Sequence, residues 1–163
     1  MDPEVAVLMS VFNGQEYLAQ TVESVLNQTF KNFEFVIVEN GSEDSSLSIL
    51  NSFEDSRIRI LPKKENIGLS KALNEGLSHA SSDLIARIDA DDLMKPQRLD
   101  RQVEYMRRNP SVALLGSSIE RIFSEGTFRD TVKFPTAHDK ILAFRSEEHT
   151  SELQSPCNLV CRL

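Results

Sequence analysis

The chain has 163 residues, which is enough for one domain with a substantial core but too few for two domains of ordinary size. Its hydrophobic and charged fractions, 40% and 26%, are typical of a globular protein. Eighteen basic and 25 acidic residues give a net charge of −7 at pH 7. This balance argues against a nucleic-acid-binding or anionic-membrane-binding surface, because both need clustered positive charge.

Targeting signals and cysteines limit the cellular locations that we expect for this protein. No run of 18 or more apolar residues occurs, so no membrane-spanning segment is predicted, and the N-terminus lacks the basic stretch of a secretory signal. The two cysteines, Cys157 and Cys161, both lie near the C-terminus, which excludes a disulfide scaffold. We therefore expect a cytoplasmic protein and leave peripheral membrane association open.

The pattern of apolar residues predicts alternating strands and helices. A continuous apolar run indicates a strand buried on both faces, and apolar residues three and four apart indicate an amphipathic helix. Arg57 and Arg59 alternate with isoleucines, so their strand is expected near a sheet edge. In chain order, the predicted elements are a strand at 5–9, a helix at 18–26, a strand at 35–38, a helix with Ser42 as its N-cap, a strand at 57–60, a helix at 69–80, a strand at 84–88, a helix with Pro96 in its first turn, a strand at 112–115 and a hairpin within 119–134.

This order of elements predicts an α/β fold: an open, mostly parallel, Rossmann-like sheet with helices on both faces. Ligands of such sheets bind outside the carboxyl ends of the strands. Three polar loops, at residues 10–14, 39–42 and 89–92, follow predicted strands. If those strands are parallel, the three loops meet at one edge of the sheet.

The third of these loops, Asp89-Ala90-Asp91-Asp92, is the candidate metal site. Three carboxylates within four residues repel one another unless a cation or solvent screens them. Oxygen ligands suit Mg²⁺ or Mn²⁺, which keep positions open for substrate phosphates. The alternative is a solvated acidic turn before the next helix, but the position after a buried strand favours the metal. No Walker loop or GxGxxG motif is present, so neither a P-loop nor a dinucleotide-binding site is supported.

Five ordered segments carry a resemblance to a known family. In this order they resemble the family 2 glycosyltransferases of GT-A fold over roughly residues 3–144. The resemblance implies transfer of a sugar from a nucleoside-diphosphate donor to an acceptor hydroxyl, usually with inversion, with Mn²⁺ or Mg²⁺ as cofactor and a DxD motif as its site. Polysaccharide biosynthesis is the implied setting, with a saccharide or lipid-linked acceptor. The segments are VLMSVFNG at 7–14, LNQTF at 26–30, VENGSED at 38–44, ENIGL at 65–69 and IDADD at 88–92.

The resemblance also implies roles for individual residues. Phe12 would stack on the nucleotide base, and Asn40 would accept a hydrogen bond from a uracil ring N–H, which favours a UDP-sugar. Asp91 and Asp92 would hold the metal that bridges the diphosphate. Lys71 and Arg98 are candidate phosphate contacts, with solvated helix positions as the alternative. The implied donor-nucleotide residues are Ser10, Phe12, Asn13, Glu39, Asn40, Asn66, Gly68 and Asp89.

No catalytic residue is assigned from the sequence. The resemblance implies an aspartate base from a later, acceptor-binding half, and Asp130 and Asp139 come too early in the chain to match it. Residues 145–155, RSEEHTSELQS, resemble the conceptual translation of a sequencing adapter. We therefore expect a nucleotide-sugar-binding domain at 1–144, incomplete at its C-terminus, and a non-native tail at 145–163 without function.

Three interpretations stay open at this point. The first is a glycosyltransferase of which residues 1–144 form the donor-binding part. The second is a nucleotide-sugar-binding module without transferase activity. The third is an α/β domain whose acidic loop is only solvated surface. Metal-dependent nucleotide binding separates the first two from the third, and sugar transfer separates the first from the second. The donor sugar, acceptor, linkage and oligomeric state are not predicted.

Overall fold

The computed structural model describes residues 2–122, 127–133 and 159–162. Strands and helices alternate along the chain as the apolar pattern predicts, and the predicted hairpin after residue 119 is present. In chain order the elements are β1 (Val5–Val11), α1 (Leu18–Leu26), β2 (Phe33–Glu39), α2 (Ser46–Asn51), β3 (Ile58–Pro62), α3 (Leu69–His79), β4 (Leu84–Arg87), α4 (Arg98–Arg108), β5 (Leu114–Gly116), β6 (Ile119–Ile122), β7 (Phe128–Val132) and β8 (Leu159–Arg162).

The main sheet has the strand order β3-β2-β1-β4-β8-β5. Its first four strands are parallel, and the register aligns Val5 of β1 with Phe33 of β2 and Leu84 of β4. The β8 strand runs antiparallel to both β4 and β5, while β6 and β7 form a separate hairpin. The predicted α/β class is confirmed. Strand β3 lies at the sheet edge, as predicted from the alternation of arginines and isoleucines at 57–60.

Alternation along β1 divides the core between the two faces of the sheet. Val5, Val7 and Met9 are fully buried on the face that packs against α1, α2 and α4. Ala6 and Leu8 point to the opposite face, which α3 covers. Gly76 lets α3 approach this face closely, because a side chain there would collide with Leu8. The helices therefore hold the four parallel strands, and the loops at their carboxyl ends, in one fixed layer.

The predicted N-cap of the second helix is wrong. Helix α2 begins at Ser46 rather than after Ser42, and the carboxylate of Asp44 accepts the backbone N–H of Ser46 at 2.9 Å. Ser42 serves the preceding turn, since its N–H donates to the buried carboxylate of Glu39 at 2.7 Å. The helix start is therefore set by a carboxylate two residues upstream, which a search for Ser or Thr caps does not detect.

Two further boundaries differ from the prediction. Helix α4 begins at Arg98, after Pro96, because the Pro96 carbonyl accepts from the backbone and side chain of Thr29 instead of entering the helix. The strand predicted from residue 112 begins at Leu114. Leu99, Val103 and Met106 form the buried apolar stripe of α4. Both shifts are confined to element ends.

The expected non-native tail lies mostly outside the described residues. His138, Asp139, His149 and Cys157 fall in the undescribed part, so no structural statement is made about them. The segment Leu159–Arg162 forms β8, which pairs with two strands of the main sheet. Within the described ranges, no helix is long and apolar enough to cross a bilayer.

Candidate functional site

Four loops meet where strands β1 to β4 end, along what we call the carboxyl edge. Backbone hydrogen bonds extend the sheet into this edge: Asn40 donates to the Val11 carbonyl at 2.8 Å and Lys63 to the Glu39 carbonyl at 2.8 Å. The convergence predicted from parallel strands is therefore present. The loops comprise residues 12–17, 40–45, 63–68 and 88–97.

The first two loops are bound to each other by reciprocal hydrogen bonds. The N–H of Asn13 donates to the Ser42 hydroxyl at 3.0 Å, and the Glu43 N–H donates to the Asn13 side-chain oxygen at 2.9 Å. Asn13 adopts a φ of 52°, a left-handed conformation that asparagine tolerates better than most residues. The Glu39 carboxylate, 2% exposed, closes the second loop by accepting from Ser42. These two predicted site residues thus shape loop backbone.

Asn40 joins the second loop to the third. Its side chain is 3% exposed, its oxygen accepts the Ile67 N–H at 3.0 Å, and its amide nitrogen donates to the Asn66 side-chain oxygen at 3.0 Å. The same Asn66 oxygen accepts the Gly68 N–H at 2.8 Å. Asn40 therefore holds the loop that carries Asn66 and Gly68, a role that sequence reasoning missed because the partners lie 26 and 27 positions away.

Two glycines have backbone conformations that this arrangement requires. Gly41 has a φ of 75°, and a side chain there would collide with the backbone of Glu65 and Asn66. Gly68 has a φ of 85° but faces open space. The first glycine is thus needed for both conformation and close approach, and the second for conformation alone.

Phe12 presents an exposed aromatic ring beside these loops. It follows the last residue of β1, and 45% of its surface is accessible, whereas Val11 is buried. Ser10, one of the predicted donor residues, is half-buried at the end of the same strand. An exposed aromatic ring at a ligand-binding edge offers a flat apolar surface for stacking.

The acidic loop, residues 89–92, is a tight turn in which the N–H of Asp92 donates to the Asp89 carbonyl at 3.2 Å. The Asp89 carboxylate forms an ion pair with Arg87 at 2.7 Å. Asp91 is exposed and Asp92 is half-buried. The phenol of Tyr17, at the start of α1, has a raised pKa, mainly because of a hydrogen bond and the charge of Glu16 and to a smaller extent because of Asp91.

The donor set of this loop fits a hard divalent cation. Among the residues that the structure describes, no group of three or more His, Cys, Asp or Glu side chains is arranged to hold a metal ion. Asp89 pairs with Arg87. Mg²⁺ typically takes one or two protein carboxylates and completes its shell with water and phosphate oxygens. Asp91 and Asp92 stay the predicted carboxylate ligands.

Arg98 differs from both predicted alternatives, a phosphate contact or a solvated helix position. It is only 9% exposed, and its guanidinium donates to the Arg87 carbonyl and to the Gln102 side chain, both at 2.9 Å. Arg98 thus supports the end of β4 beneath the acidic loop. Lys71, by contrast, is exposed on α3. The sequence feature that could have indicated a buried Arg98 is its polar partner Gln102, which lies one helical turn away beside the apolar stripe.

A set of polar side chains on and just after α1 also escaped sequence reasoning. These side chains, which we call the α1 latch, bond the backbone of the segment between β4 and α4. Thr21 and Gln28 are fully buried, at positions that continue the apolar stripe of α1. A polar residue at a stripe position is the signal that could have revealed them. The latch consists of Thr21, Ser24, Gln28 and Thr29.

The fold and the converging loops define a class of α/β protein that places its ligand site at the carboxyl ends of parallel strands. The family model described as glycosyl transferase family 2 matches residues 6–162. The chain therefore belongs to glycosyl transferase family 2.

Curated relatives agree with this assignment. An uncharacterized glycosyltransferase of Haemophilus influenzae is 36% identical over 122 residues, which are 74% of this chain and 38% of the relative. The amylovoran biosynthesis glycosyltransferase AmsE of Erwinia amylovora is 31% identical over 160 residues, 96% of this chain and 58% of that protein. The chain thus spans roughly half the length of these relatives.

Solved structures show the same fold. Residues 1–349 of Staphylococcus aureus TarS in complex with UDP-GlcNAc align with a TM-score of 0.76 at 19% identity, covering 96% of this chain and 44% of that one. The mannosyltransferase PcManGT of Pyrobaculum calidifontis, in complex with GDP-Man and Mn²⁺, aligns with a TM-score of 0.65 at 22% identity, covering 74% and 36%.

Proposed function

We propose that the carboxyl edge binds a nucleoside-diphosphate sugar as the donor site of a glycosyltransferase, which moves the sugar to an acceptor hydroxyl with inversion. The observation that carries the proposal is the convergence of four loops: an exposed aromatic ring, a buried asparagine network and a carboxylate pair lie along one edge. UDP-sugars are the favoured donors, and a saccharide or lipid-linked hydroxyl is the acceptor class.

The base and ribose end of the site lies at the first three loops. Phe12 offers the stacking surface, and Ser10, Asn13 and Glu39 lie in or shape the surrounding backbone. The Asn40 oxygen accepts one hydrogen bond from Ile67, and an amide oxygen has a second lone pair with which to accept a uracil N–H. Asn66 and Gly68 line the approach to the ribose and phosphates, where the open space beside Gly68 leaves room for a ligand.

The diphosphate end lies at the acidic loop. Asp91 and Asp92 would hold Mn²⁺ or Mg²⁺, and the cation would neutralise charge that develops on the departing diphosphate. Asp89, fixed by Arg87, would face the ribose or the sugar. Two structures with the same fold support this assignment of ligands, since one was solved with UDP-GlcNAc and the other with GDP-Man and Mn²⁺.

We assign the proton-accepting role to no described residue. Asp130 follows the donor loops in sequence, but it forms an ion pair with Arg121, and this hydrogen bond and charge lower the pKa of Asp130. A carboxylate with a lowered pKa is a poor base for an acceptor hydroxyl. A nucleotide-sugar-binding module without transferase activity is the second candidate function.

Titration calorimetry of UDP into the full chain, with Mn²⁺ and with EDTA, tests the donor site. We expect Mn²⁺-dependent binding that weakens at least tenfold in Asp91→Asn and Asp92→Asn, because each change removes one charged ligand. Asp83→Asn is the matched control, since Asp83 is an exposed carboxylate just before the opposite end of β4. Metal-independent binding, or equal weakening in the control, would contradict the proposal. A transfer assay with UDP-sugars then separates the enzyme from the binding module.

A further inference from the structure

We propose that Thr21 is a positioning residue for the acidic loop, acting through the carbonyl of Ala90. The inference rests on the proposed function, because it concerns how the loop presents Asp91 and Asp92 to a metal and a diphosphate. It assigns a role at the donor site to a residue that lies on α1 and not in any of the four loops.

The hydrogen bond that carries the inference has a fully buried donor. The Thr21 hydroxyl donates to the Ala90 carbonyl at 2.9 Å, and Thr21 is 0% exposed. Ala90 itself lies between Asp89 and Asp91 and packs against the main core. Since the peptide unit is planar, holding the Ala90 oxygen also restricts the plane that extends to the Cα of Asp91. Thr21 therefore limits rotation of the peptide group between Ala90 and Asp91, which directly precedes the carboxylate pair.

The segment around this bond contains turns rather than a helix or a strand. Between β4 and α4, the N–H of Asp92 donates to the Asp89 carbonyl at 3.2 Å and the N–H of Arg98 donates to the Lys95 carbonyl at 2.9 Å. Side chains of the α1 latch supply further partners. A segment outside helices and strands takes part of its conformation from the side chains that bond its backbone.

The other latch residues act farther along the chain. The Ser24 hydroxyl accepts the Met94 N–H at 2.9 Å, and the Gln28 amide donates to the Lys95 carbonyl at 2.8 Å and accepts the Leu99 N–H at 3.1 Å. These bonds hold the segment that leads into α4. Among the latch bonds, the one from Thr21 reaches the acidic loop itself, so its loss should alter metal presentation, whereas loss of the others should alter stability.

The far side of the acidic loop is also anchored. Arg87 pairs with the Asp89 carboxylate at 2.7 Å, and Arg98 donates to the Arg87 carbonyl at 2.9 Å. The loop is thus fixed at Asp89 by charge and at Ala90 by the Thr21 hydroxyl. Asp91 and Asp92 follow directly, so their positions depend on both anchors.

The test uses the full chain and compares three variants by Mn²⁺-dependent UDP calorimetry and urea unfolding. Thr21→Val keeps the shape of the side chain and removes the hydroxyl, Thr21→Ser keeps the hydroxyl, and Ser24→Ala removes a latch bond outside the acidic loop. We expect Thr21→Val to weaken Mn²⁺-dependent UDP binding about fivefold, the equivalent of one hydrogen bond. We expect Thr21→Ser to restore most of that affinity.

The control separates positioning from stability. Ser24→Ala should lower the urea midpoint about as much as Thr21→Val while its Mn²⁺ dependence stays within about twofold of the parent chain, an interval well below the effect of one lost hydrogen bond. Thr21→Ala supplies a second variant without the hydroxyl if Thr21→Val does not fold. Equal affinities in Thr21→Val and the parent, or equal losses in Thr21→Val and Ser24→Ala, would overturn the positioning role. Absence of Mn²⁺-dependent binding in the parent would overturn the proposed function and this inference together.

Discussion

Asn40 illustrates how one side chain can organise a binding edge. Its amide forms a hydrogen bond at each end, with Ile67 and with Asn66, and it is almost completely buried. An aspartate at this position would place a carboxylate oxygen against the Asn66 oxygen, so two acceptors would face each other. The asparagine and its partner Asn66 are therefore matched.

Asn40→Asp should accordingly destabilise the protein by about 1–3 kcal/mol, because one buried polar group loses its partner. Urea unfolding at neutral pH measures the loss. Asn74→Asp, at an exposed position of α3, is the control and should change the free energy of unfolding by less than about 0.5 kcal/mol. Equal stability of Asn40→Asp and the parent chain would show that the Asn40 network does not hold the loops together.

The two left-handed glycines at the edge predict different costs. Gly41→Ala must overcome both a positive φ and a collision with the backbone of Glu65 and Asn66, whereas Gly68→Ala meets only the conformational cost. We expect Gly68→Ala to lose about 1–3 kcal/mol of unfolding free energy and Gly41→Ala to lose more. Thermal unfolding of the two variants measures the order. A larger loss at Gly68 would contradict the close packing of the second and third loops.

Among the elements, the edge strand β3 shows how charge anchors a strand at its start. Arg57 precedes β3 and pairs with Asp55 at 2.7 Å. Its guanidinium also lies 4.5 Å from the ring centroid of Phe33 and donates to the Leu26 carbonyl at 3.3 Å. One arginine thus joins the edge strand to β2 and to the end of α1, and its hydrogen bond holds the pKa of Asp55 at about 2, below the ordinary 3.8.

The pH dependence of stability follows from this pair. A carboxyl whose pKa is lower in the folded state stabilises the fold above the unfolded pKa, near 4, and loses that contribution as pH falls toward 2. We expect Asp55→Asn to lose about 1–2 kcal/mol at pH 7, after allowance for partial solvent screening, and to match the parent chain near pH 2. Urea unfolding from pH 7 to pH 2 measures this difference.

Glu54→Gln is the control for that titration, because Glu54 is an exposed neighbouring carboxylate. Its unfolding curve should follow the parent chain at each pH. If Asp55→Asn were equally destabilising at pH 7 and pH 2, the ion pair with Arg57 would not be the cause.

Prediction from the sequence succeeded for elements with an apolar period and failed for contacts between distant segments. The strands β1, β2 and β4 are continuous apolar runs, and parallel pairing then places their loops at one edge. Thr21 and Ala90 are 69 positions apart, so their hydrogen bond exists only because α1 packs beside the end of β4. No local pattern specifies such a bond, although a threonine on an apolar stripe indicates that a buried partner must exist.

In the molecule as a whole, the main sheet combines four parallel strands with β8, an antiparallel strand from the predicted non-native tail. The four parallel strands carry the four loops of the carboxyl edge, whereas β8 fills the position between β4 and β5 with the segment Leu159–Arg162. A short apolar segment is sufficient for this, since antiparallel pairing uses backbone groups and two open strand edges offer them on both sides. The pairing of β8 is thus compatible with the proposal that residues 145–163 are not native.

That proposal has a direct test at the level of the gene. A long, adapter-free read of the source DNA across the codons for residues 143–148 should continue into a different reading after Phe144. We expect this change because residues 145–155 resemble a translated adapter. If the same codons and stop return, the tail is native and β8 belongs to the natural sheet.

Paramagnetic broadening shows directly whether a metal–nucleotide complex binds at the carboxyl edge. Amide spectra of the ¹⁵N-labelled full chain would be recorded with UDP and Mg²⁺, and then with UDP and a small fraction of Mn²⁺. Mn²⁺ bound at the carboxyl edge should broaden the amide signals of Asp91, Asp92 and Gly68 beyond detection. Signals of Asn32 and Asp83, before the opposite ends of β2 and β4, should persist. Broadening centred at that opposite end, or none at all, would show that the complex does not bind at the carboxyl edge.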